Sequence, residues 1–251
     1  MNIKWDSENY LKNFSFVGRY GEDVLNLVDT SENGMAIDLG CGNGCLTEKL
    51  VEKGYRVLGI DASEDMIKTA KKLHSNFDFV MADAAEFDLQ EKADVIFSNA
   101  MLHWIDADKQ EKTISNISSQ LKSNGQFVCE FGRKGNCEAV HSALETAFRK
   151  RGLIYPRTFY FPSIGEYTPI LEKYGLKVTY AVLFNRPTEQ NTQQGLENWI
   201  RMFIKTPFEN MESEQSDEII NEAVSALKER LYKNGKWFVD YVRIRIKAEK
   251  E

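Results

Sequence analysis

At 251 residues, with 42% hydrophobic and 28% charged positions, the chain has the make-up of a globular protein with a sizeable core, as one domain or one with an inserted cap. A formal net charge of −6 gives no cationic footprint for nucleic acid, no apolar run approaches the roughly twenty residues of a membrane helix, and the start MNIKWDSENY lacks a signal-peptide apolar segment. The expectation is a cytoplasmic protein with neither nucleic acid nor membrane as partner, and Cys41, Cys45, Cys129 and Cys137, without C-x-x-C spacing or paired histidines, predict reduced thiols and no metal site.

Residues 1–30 read as an N-terminal helical cover, with Tyr10, Leu11, Phe14, Phe16, Val17 and Tyr20 forming apolar and aromatic faces. The stretch Met35–Gly44, MAIDLGCGNG, is the most informative in the chain. Met35, Ala36, Ile37 and Leu39 supply a buried strand, and Gly40, Gly42 and Gly44 a turn in which backbone approaches a ligand with no Cβ in the way. Glu48, Leu50 and Val51 continue at helical spacing, so the turn opens a helix. A dinucleotide fingerprint is a similar turn, but Cys45 stands where its third small residue belongs, and Asp38 would repel a pyrophosphate while attracting a cationic amine.

About twenty residues on, Arg56–Asp61 (RVLGID) is a second buried strand ending in an acid. Asp61 is placed to accept both hydroxyls of a ribose, to cap the helix that starts near Ser63, or to do both at once. Two more strands follow, Phe77–Asp83 (FDFVMAD) and Asp94–Asn99 (DVIFSN), and Gly125–Phe131 (GQFVCEF) is a fifth. Ligands of open parallel sheets lie outside the carboxyl ends of the strands, so Asp38, Asp61, Asp83 and Asn99 are expected to converge on one crevice.

The texture then changes. A helix is predicted over Cys137–Lys150, then an aromatic loop Ile154–Ser163, a helix near Ile164–Tyr174 and a strand Leu176–Phe184. Gln193–Ile204 (QQGLENWIRMFI) and a charged helix over Ser213–Leu231 interrupt the core pattern before a last strand, Trp237–Ala248, with the alternation of a sheet edge. The segments at about 133–165 and 188–232 are expected to form a helical lid with substrate elements.

The succession DLGCGNG, GIDAS, MADAAEF and SNAMLHW over residues 35–131 resembles the class I S-adenosylmethionine-dependent methyltransferases, and SNAMLHW is similar to the trans-aconitate and malonyl-carrier-protein methyltransferases among them. The resemblance implies one methyltransferase domain over 1–251, its cofactor-binding core at 35–131. The fold would be α/β, a Rossmann-like doubly wound sheet of seven strands with the last antiparallel and a helical lid. It implies S-adenosylmethionine as cofactor, with Asp38, Gly40, Cys41, Gly42 and Gly44 around its methionine part, Asp61 and Ala62 at the ribose, and Asp83 and Ala84 at the adenine. Met66 or Met81 would lie against the adenine or serve as plain core. Asn99 would meet the cofactor amine, Tyr10 or Phe16 would cover the site, and His103 and Trp104 would lie on the loop that faces the transferred methyl.

Methyl transfer is an in-line displacement at a sulfonium carbon, so the enzyme mainly holds the nucleophile in line and keeps water out. His103 is a general base or a packed wall residue; a carboxylate acceptor needs no base. Such an acceptor needs cationic docking, for which Arg133, Arg157 and Arg201 are candidates, with Tyr155, Tyr160, Trp199 and Phe203 as walls. The leading reading is a methyltransferase for a small-molecule acceptor, with a carboxylate methylated on oxygen as the favoured guess. An NAD-dependent oxidoreductase and a non-catalytic S-adenosylmethionine-binding module are the alternatives.

Overall fold

The computed structural model describes residues 16–190 and 192–251, without the side chains of residues 16, 17 and 19. In chain order the elements are α1 (Phe16–Leu25), β1 (Met35–Leu39), α2 (Cys45–Glu52), β2 (Arg56–Asp61), α3 (Glu64–Leu73), β3 (Asp78–Met81), β4 (Ala93–Asn99), α4 (Gln110–Gln120) and β5 (Leu121–Gly132). Then come α5 (Glu138–Lys150), α6 (Ile164–Lys173), β6 (Leu176–Gln190), α7 (Gly195–Phe203), α8 (Ser213–Leu231), β7 (Tyr232–Lys233) and β8 (Lys236–Lys250). Two compact units share them, Met1–Arg133 with Tyr160–Leu183 and Ile244–Glu251, and Lys134–Phe159 with Phe184–Arg243.

The sheet runs β3-β2-β1-β4-β5-β8-β6. Neighbours from β3 to β5 are parallel, and the last strands are antiparallel. From β1 the chain steps outward through β2 to β3, then returns to place β4 on the other side of β1. That reversal is a topological switch point, and it opens a crevice where the carboxyl ends of β1 and β4 part.

Alternation along the strands explains why both faces of the sheet are covered. Ile37 and Leu39 of β1, Ile96 of β4, and Phe127 and Phe131 of β5 enter one buried cluster, which α4, α6 and the end of β8 complete with Ile114, Ile117, Tyr167, Leu171, Ile244 and Ile246. Ala36, Val95, Phe97 and Val128 point the other way and pack with Val24 and Leu25 of α1 and Leu46 and Leu50 of α2. A Ser163–Glu166 capping box fixes the start of α6, each side chain accepting from the other residue's backbone N–H.

Several boundaries differ from those expected. Strand β3 stops at Met81, because the chain turns at Asp83, whose Oδ1 accepts the Ala85 N–H at 2.8 Å while its carbonyl accepts from Glu86 and Phe87. β5 starts four residues earlier than Gly125, across a register shift opposite Ala93 and Val95. β6 continues past Phe184 to Gln190. An eighth strand joins the seven expected: β7 follows α8 directly and pairs with Lys236 and Trp237, closed by Asn234 and Gly235 at φ +52° and +80°, the positive pair that a two-residue Asn-Gly hairpin turn requires.

The second unit has its own interior. Leu144 and Phe148 of α5, Leu196 and Trp199 of α7, Ile219, Ala223 and Leu227 of α8, and Val239 and Tyr241 of β8 are all buried. Arg151 and Lys150 at the end of α5 both bind Glu222 of α8, at 2.7 and 2.6 Å.

Candidate functional site

The glycine loop is tied to the end of β2 by two hydrogen bonds, Gly40 and Cys41 both donating to the Ile60 carbonyl at 2.7 and 3.0 Å. Gly40, Gly42 and Gly44 have φ of +77°, +55° and +84°, the left-handed region that a side chain disfavours. They differ in what a Cβ would meet. At Gly40 it would strike Met101, and at Gly44 Phe79 and His74, whereas at Gly42 no heavy atom of the described residues lies within 4 Å beyond its chain neighbours. Gly42 therefore lines a cradle that a side chain would fill, as a ligand-facing glycine does.

Two carboxylates face this loop. Asp61 does not cap the next helix; Ser63 does, accepting the Met66 N–H at 3.3 Å. Instead the Asp61 carboxylate joins the two loops, Oδ2 accepting from Gly42 N–H at 3.0 Å and Oδ1 from Ser63 N–H at 2.8 Å. Asp38 is buried and accepts a 2.7 Å hydrogen bond from Thr47 Oγ1. Burial pushes the Asp38 carboxyl up to about 7, the Thr47 bond opposes the rise and the nearby Asp61 charge adds to it. Burial raises Asp61 too, against the pull of its two amides. Among the described residues no lysine or arginine enters the balance at either acid, so within them the pair is an acidic cradle, suited to a cationic ligand. Thr47, on the first turn of α2, escapes sequence reasoning; its signal is a hydroxyl one turn after the glycines.

The remaining cofactor candidates lie on neighbouring strand ends. Ala62 and Asp83 are exposed, and Ala84 is buried. The loop after β3 is held by Asn116 of α4, whose amide donates to the carbonyls of Ala84 and Phe87 at 3.3 and 3.0 Å. Met66 is buried among core residues while Met81 is 57% exposed. Cys41 is buried and Cys45 half-buried; burial, with Asp38 close by, pushes the Cys45 thiol up to about 11, so neither is poised as a nucleophile. Asn99 ends β4 beside Ala100, which takes φ +57° and donates its N–H to the Glu130 carbonyl at 2.7 Å. Tyr10 and the side chain of Phe16 lie outside the described residues. Among those described, no group of His, Cys, Asp or Glu could hold a metal ion, and no helix is long and apolar enough to cross a membrane.

His103 sits in a short 3-10 turn, Leu102–Trp104, just past the carboxyl end of β4, and is buried. Its ring packs beside Trp104 and Phe161, with centroids 5.6 and 5.8 Å away, and its carbonyl accepts the Tyr160 N–H at 3.1 Å. The decisive contact is at Nδ1, which accepts the Gly132 backbone N–H at 3.3 Å. An amide nitrogen cannot accept in return, so the neutral ring carries its proton on Nε2.

The acceptor-side candidates of the second unit are engaged within it. Arg157 binds Glu138 at 2.8 Å and Glu145 at 3.1 Å, and Arg201 binds Glu197 at 2.9 Å and Asp217 at 2.7 Å. Tyr155 is buried, its hydroxyl 2.7 Å from Nδ1 of His141, and burial pushes His141 down to about 4. Trp199 is buried and donates its indole N–H to Tyr241 Oη at 2.6 Å. Arg133 is half-buried at the boundary of the first unit.

Residues 36–125 match the family described as a methyltransferase domain. An uncharacterised methyltransferase of Schizosaccharomyces pombe is 34% identical over 98% of this chain and 98% of its own length. The trans-aconitate 2-methyltransferase of an Azoarcus species is 33% identical over 40% of this chain and 41% of its own. Among solved structures, the TehB-like S-adenosylmethionine-dependent methyltransferase of Corynebacterium glutamicum shares the fold at a TM-score of 0.56 and 18% identity, covering 98% of each chain. A switch-point crevice, a glycine cradle faced by two carboxylates and an almost full-length relative point the same way: the chain belongs to the class I S-adenosylmethionine-dependent methyltransferases.

Proposed function

We propose that this enzyme methylates a small organic acid on a carboxylate oxygen. The chain is an S-adenosylmethionine-dependent methyltransferase; the proposal concerns what it methylates. S-adenosylmethionine supplies a sulfonium-bound methyl group to a nucleophile held in line with it. Asp38 and the Gly40–Gly44 loop would hold its amino-acid end, Asp61 its ribose, and the Asp83–Ala84 turn its adenine.

The observation that carries the choice of acceptor is the Gly132 N–H on Nδ1 of His103. A general base needs a nitrogen able to take a proton. In His103 one nitrogen faces an amide donor and the other already bears hydrogen. The ring is thus a hydrogen-bond donor at Nε2, suited to orient an anionic oxygen and unsuited to deprotonate an ammonium or a phenol. Those groups hold their protons to pH values near 10, whereas a carboxylate arrives ionised at neutral pH. The trans-aconitate 2-methyltransferases among the relatives support the same acceptor class.

The test is a panel of small carboxylic acids, trans-aconitate included, alongside amines and phenols, read by release of S-adenosylhomocysteine and by mass spectrometry of the methyl ester. Turnover is expected on at least one acid and loss of the product on mild alkaline ester hydrolysis. Turnover on amines or phenols and on no acid would overturn the proposal.

A further inference from the structure

We propose that Gln110 is a positioning residue for methyl transfer: its side chain sets the backbone turn that presents His103 to the acceptor oxygen. This role rests on the placement of His103 at the acceptor, and it adds the residue that holds His103 there. Leu102 to Gln110, Gly132, and Tyr160 to Tyr167, which carry the contacts, all belong to the first unit.

Gln110 opens α4, and its side chain reaches back over the loop that precedes the helix. It is fully buried, directly after the exposed residues Ala107, Asp108 and Lys109. Its Nε2 donates to the carbonyls of Leu102 and Ile105, both at 2.9 Å, and its Oε1 accepts from the Tyr167 hydroxyl at 3.3 Å. A primary amide has two N–H groups, so both donors are spent on the loop. A flipped amide would set its oxygen against two carbonyls. Tyr167 opposes that flip, and its own ring is fixed edge-on to Phe131 with centroids 4.8 Å apart.

The two carbonyls bracket the 3-10 turn Leu102–Trp104 that carries His103. One such turn is weakly self-stabilised, so its rigidity depends on ties from outside. Gly132 N–H and Tyr160 N–H fix the ring and the carbonyl of His103, and Gln110 clamps the residues before and after it. An apolar side chain would fill the same place without desolvating an amide; what the amide adds is direction. That direction bears on the reaction because a misplacement of about 1 Å in a group that aligns a nucleophile costs up to about a hundredfold in rate.

The test compares wild type with Gln110→Met, which keeps the length and loses both donors, and Gln110→Glu, which keeps an acceptor for Tyr167 and turns an oxygen toward the two carbonyls. Proteins saturated with S-adenosylhomocysteine are read by amide hydrogen exchange and histidine ring ¹⁵N shifts, and the free enzymes by turnover on a panel of small carboxylic acids led by trans-aconitate. In both variants the Gly132 and Tyr160 amides should exchange about tenfold faster or more, beyond any change at Ile37 of β1, and the His103 ring should lose its single tautomer. S-adenosylhomocysteine affinity should stay within about twofold of wild type, while kcat on the acid falls about tenfold or more. Gln110→Met combined with His103→Ala should be no slower than His103→Ala alone, to within about threefold, because both changes act through one ring. A merely structural role would quicken all core amides together and multiply with His103→Ala. Should both Gln110 variants fail to fold, Tyr167→Phe, which removes the hydroxyl that holds the amide, should give the same exchange pattern more weakly. Exchange at Gly132 and Tyr160 that is unchanged, or that rises only in step with Ile37, would overturn the assignment. Faster exchange at those two amides with no turnover on any acid would keep the brace and sink the O-methylation reading. Turnover on an acid, with exchange and kcat unchanged in both variants, would do the reverse.

Discussion

Replacing Asp38 by asparagine should make the cofactor-free protein more stable and the cofactor weaker, two effects that an ordinary core residue would not separate. The Asp38 carboxyl rises from 3.8 to about 7, chiefly through burial, which corresponds to roughly 4 kcal/mol at about 1.4 kcal/mol per tenfold change. The sign follows from linkage: for an acid whose folded value is raised, the cost is absent below 3.8, grows as pH rises, and is fully present above about 7. The introduced amide would keep the Thr47 bond at its carbonyl but bring an N–H₂ group into a buried place, costing about 1–3 kcal/mol at every pH. The pH-independent part cancels in a comparison across pH. The variant should therefore gain about 2–4 kcal/mol over wild type between pH 4 and pH 8.

Denaturant unfolding at the two pH values measures that difference. Calorimetry supplies the other half: loss of a charged acceptor for the cofactor's ammonium should cost about 1.5–3 kcal/mol, or ten- to a hundredfold in affinity. In the wild type, binding a cation favours ionised Asp38, so binding should release a proton near and below pH 7 and tighten from pH 6 to 8. Buffers of different ionisation enthalpy report that proton. A variant destabilised equally at pH 4 and pH 8, with unchanged cofactor affinity, would refute the reasoning.

Gly42→Val should abolish detectable S-adenosylmethionine binding in a folded protein, since φ of +55° penalises a side chain by about 1–2 kcal/mol and the added atoms enter the cradle; calorimetry with circular dichroism as a fold control checks this. His103→Asn should retain turnover within about tenfold while His103→Ala falls about a hundredfold, and ring ¹⁵N shifts should show Nε2 protonated; equal losses in both, with an acid limb removed from the pH profile, would restore a base. Arg245→Met should destabilise the fold by about 3–5 kcal/mol, because Arg245 binds Glu130 at 2.7 Å and Glu130 is 2% exposed, and chemical unfolding measures the loss.

What the sequence makes legible is local. An apolar run, an acid and three glycines within ten residues define β1 and its loop because every interaction that shapes them is close in the chain. The same holds for Ser63 and the strand ends at Asp61 and Asn99. The end of β3 escapes the pattern because FDFVMAD stays apolar up to Asp83, while the turn is set by a side-chain bond to Ala85. The ion pairs of Arg157 and Arg201 escape the pattern for a related reason. Their charge shows in the sequence, but their distant partners do not, as Glu138 stands 19 residues from Arg157 and Asp217 stands 16 from Arg201. Arg243 hides in YVRIRIKA, where alternation looks like the wet face of an edge strand. It is buried, and it donates to Asn136, 107 residues away.

The two acids of the cradle divide by how their oxygens are engaged, and that division predicts opposite responses to the same substitution. Asp38 meets a hydroxyl, which can turn to suit an amide. Asp61 meets two backbone N–H groups, one on each oxygen, at 3.0 and 2.8 Å, and neither can turn away. A carboxylate offers about four lone-pair sites. Two are spent joining the glycine loop to the start of α3, and one remains on each oxygen, spaced for the vicinal hydroxyls of a ribose. In Asp61→Asn the N–H₂ must face one of the two amides, donor against donor, so the loop junction and the ribose acceptor are lost together. Stability should fall by about 1–3 kcal/mol, even at pH 8 where Asp38→Asn raises it, and S-adenosylmethionine affinity should fall at least tenfold. Unfolding midpoints and calorimetry on the pair of variants decide the matter. A stability gain in Asp61→Asn would show that burial, rather than the two amides, governs that carboxylate.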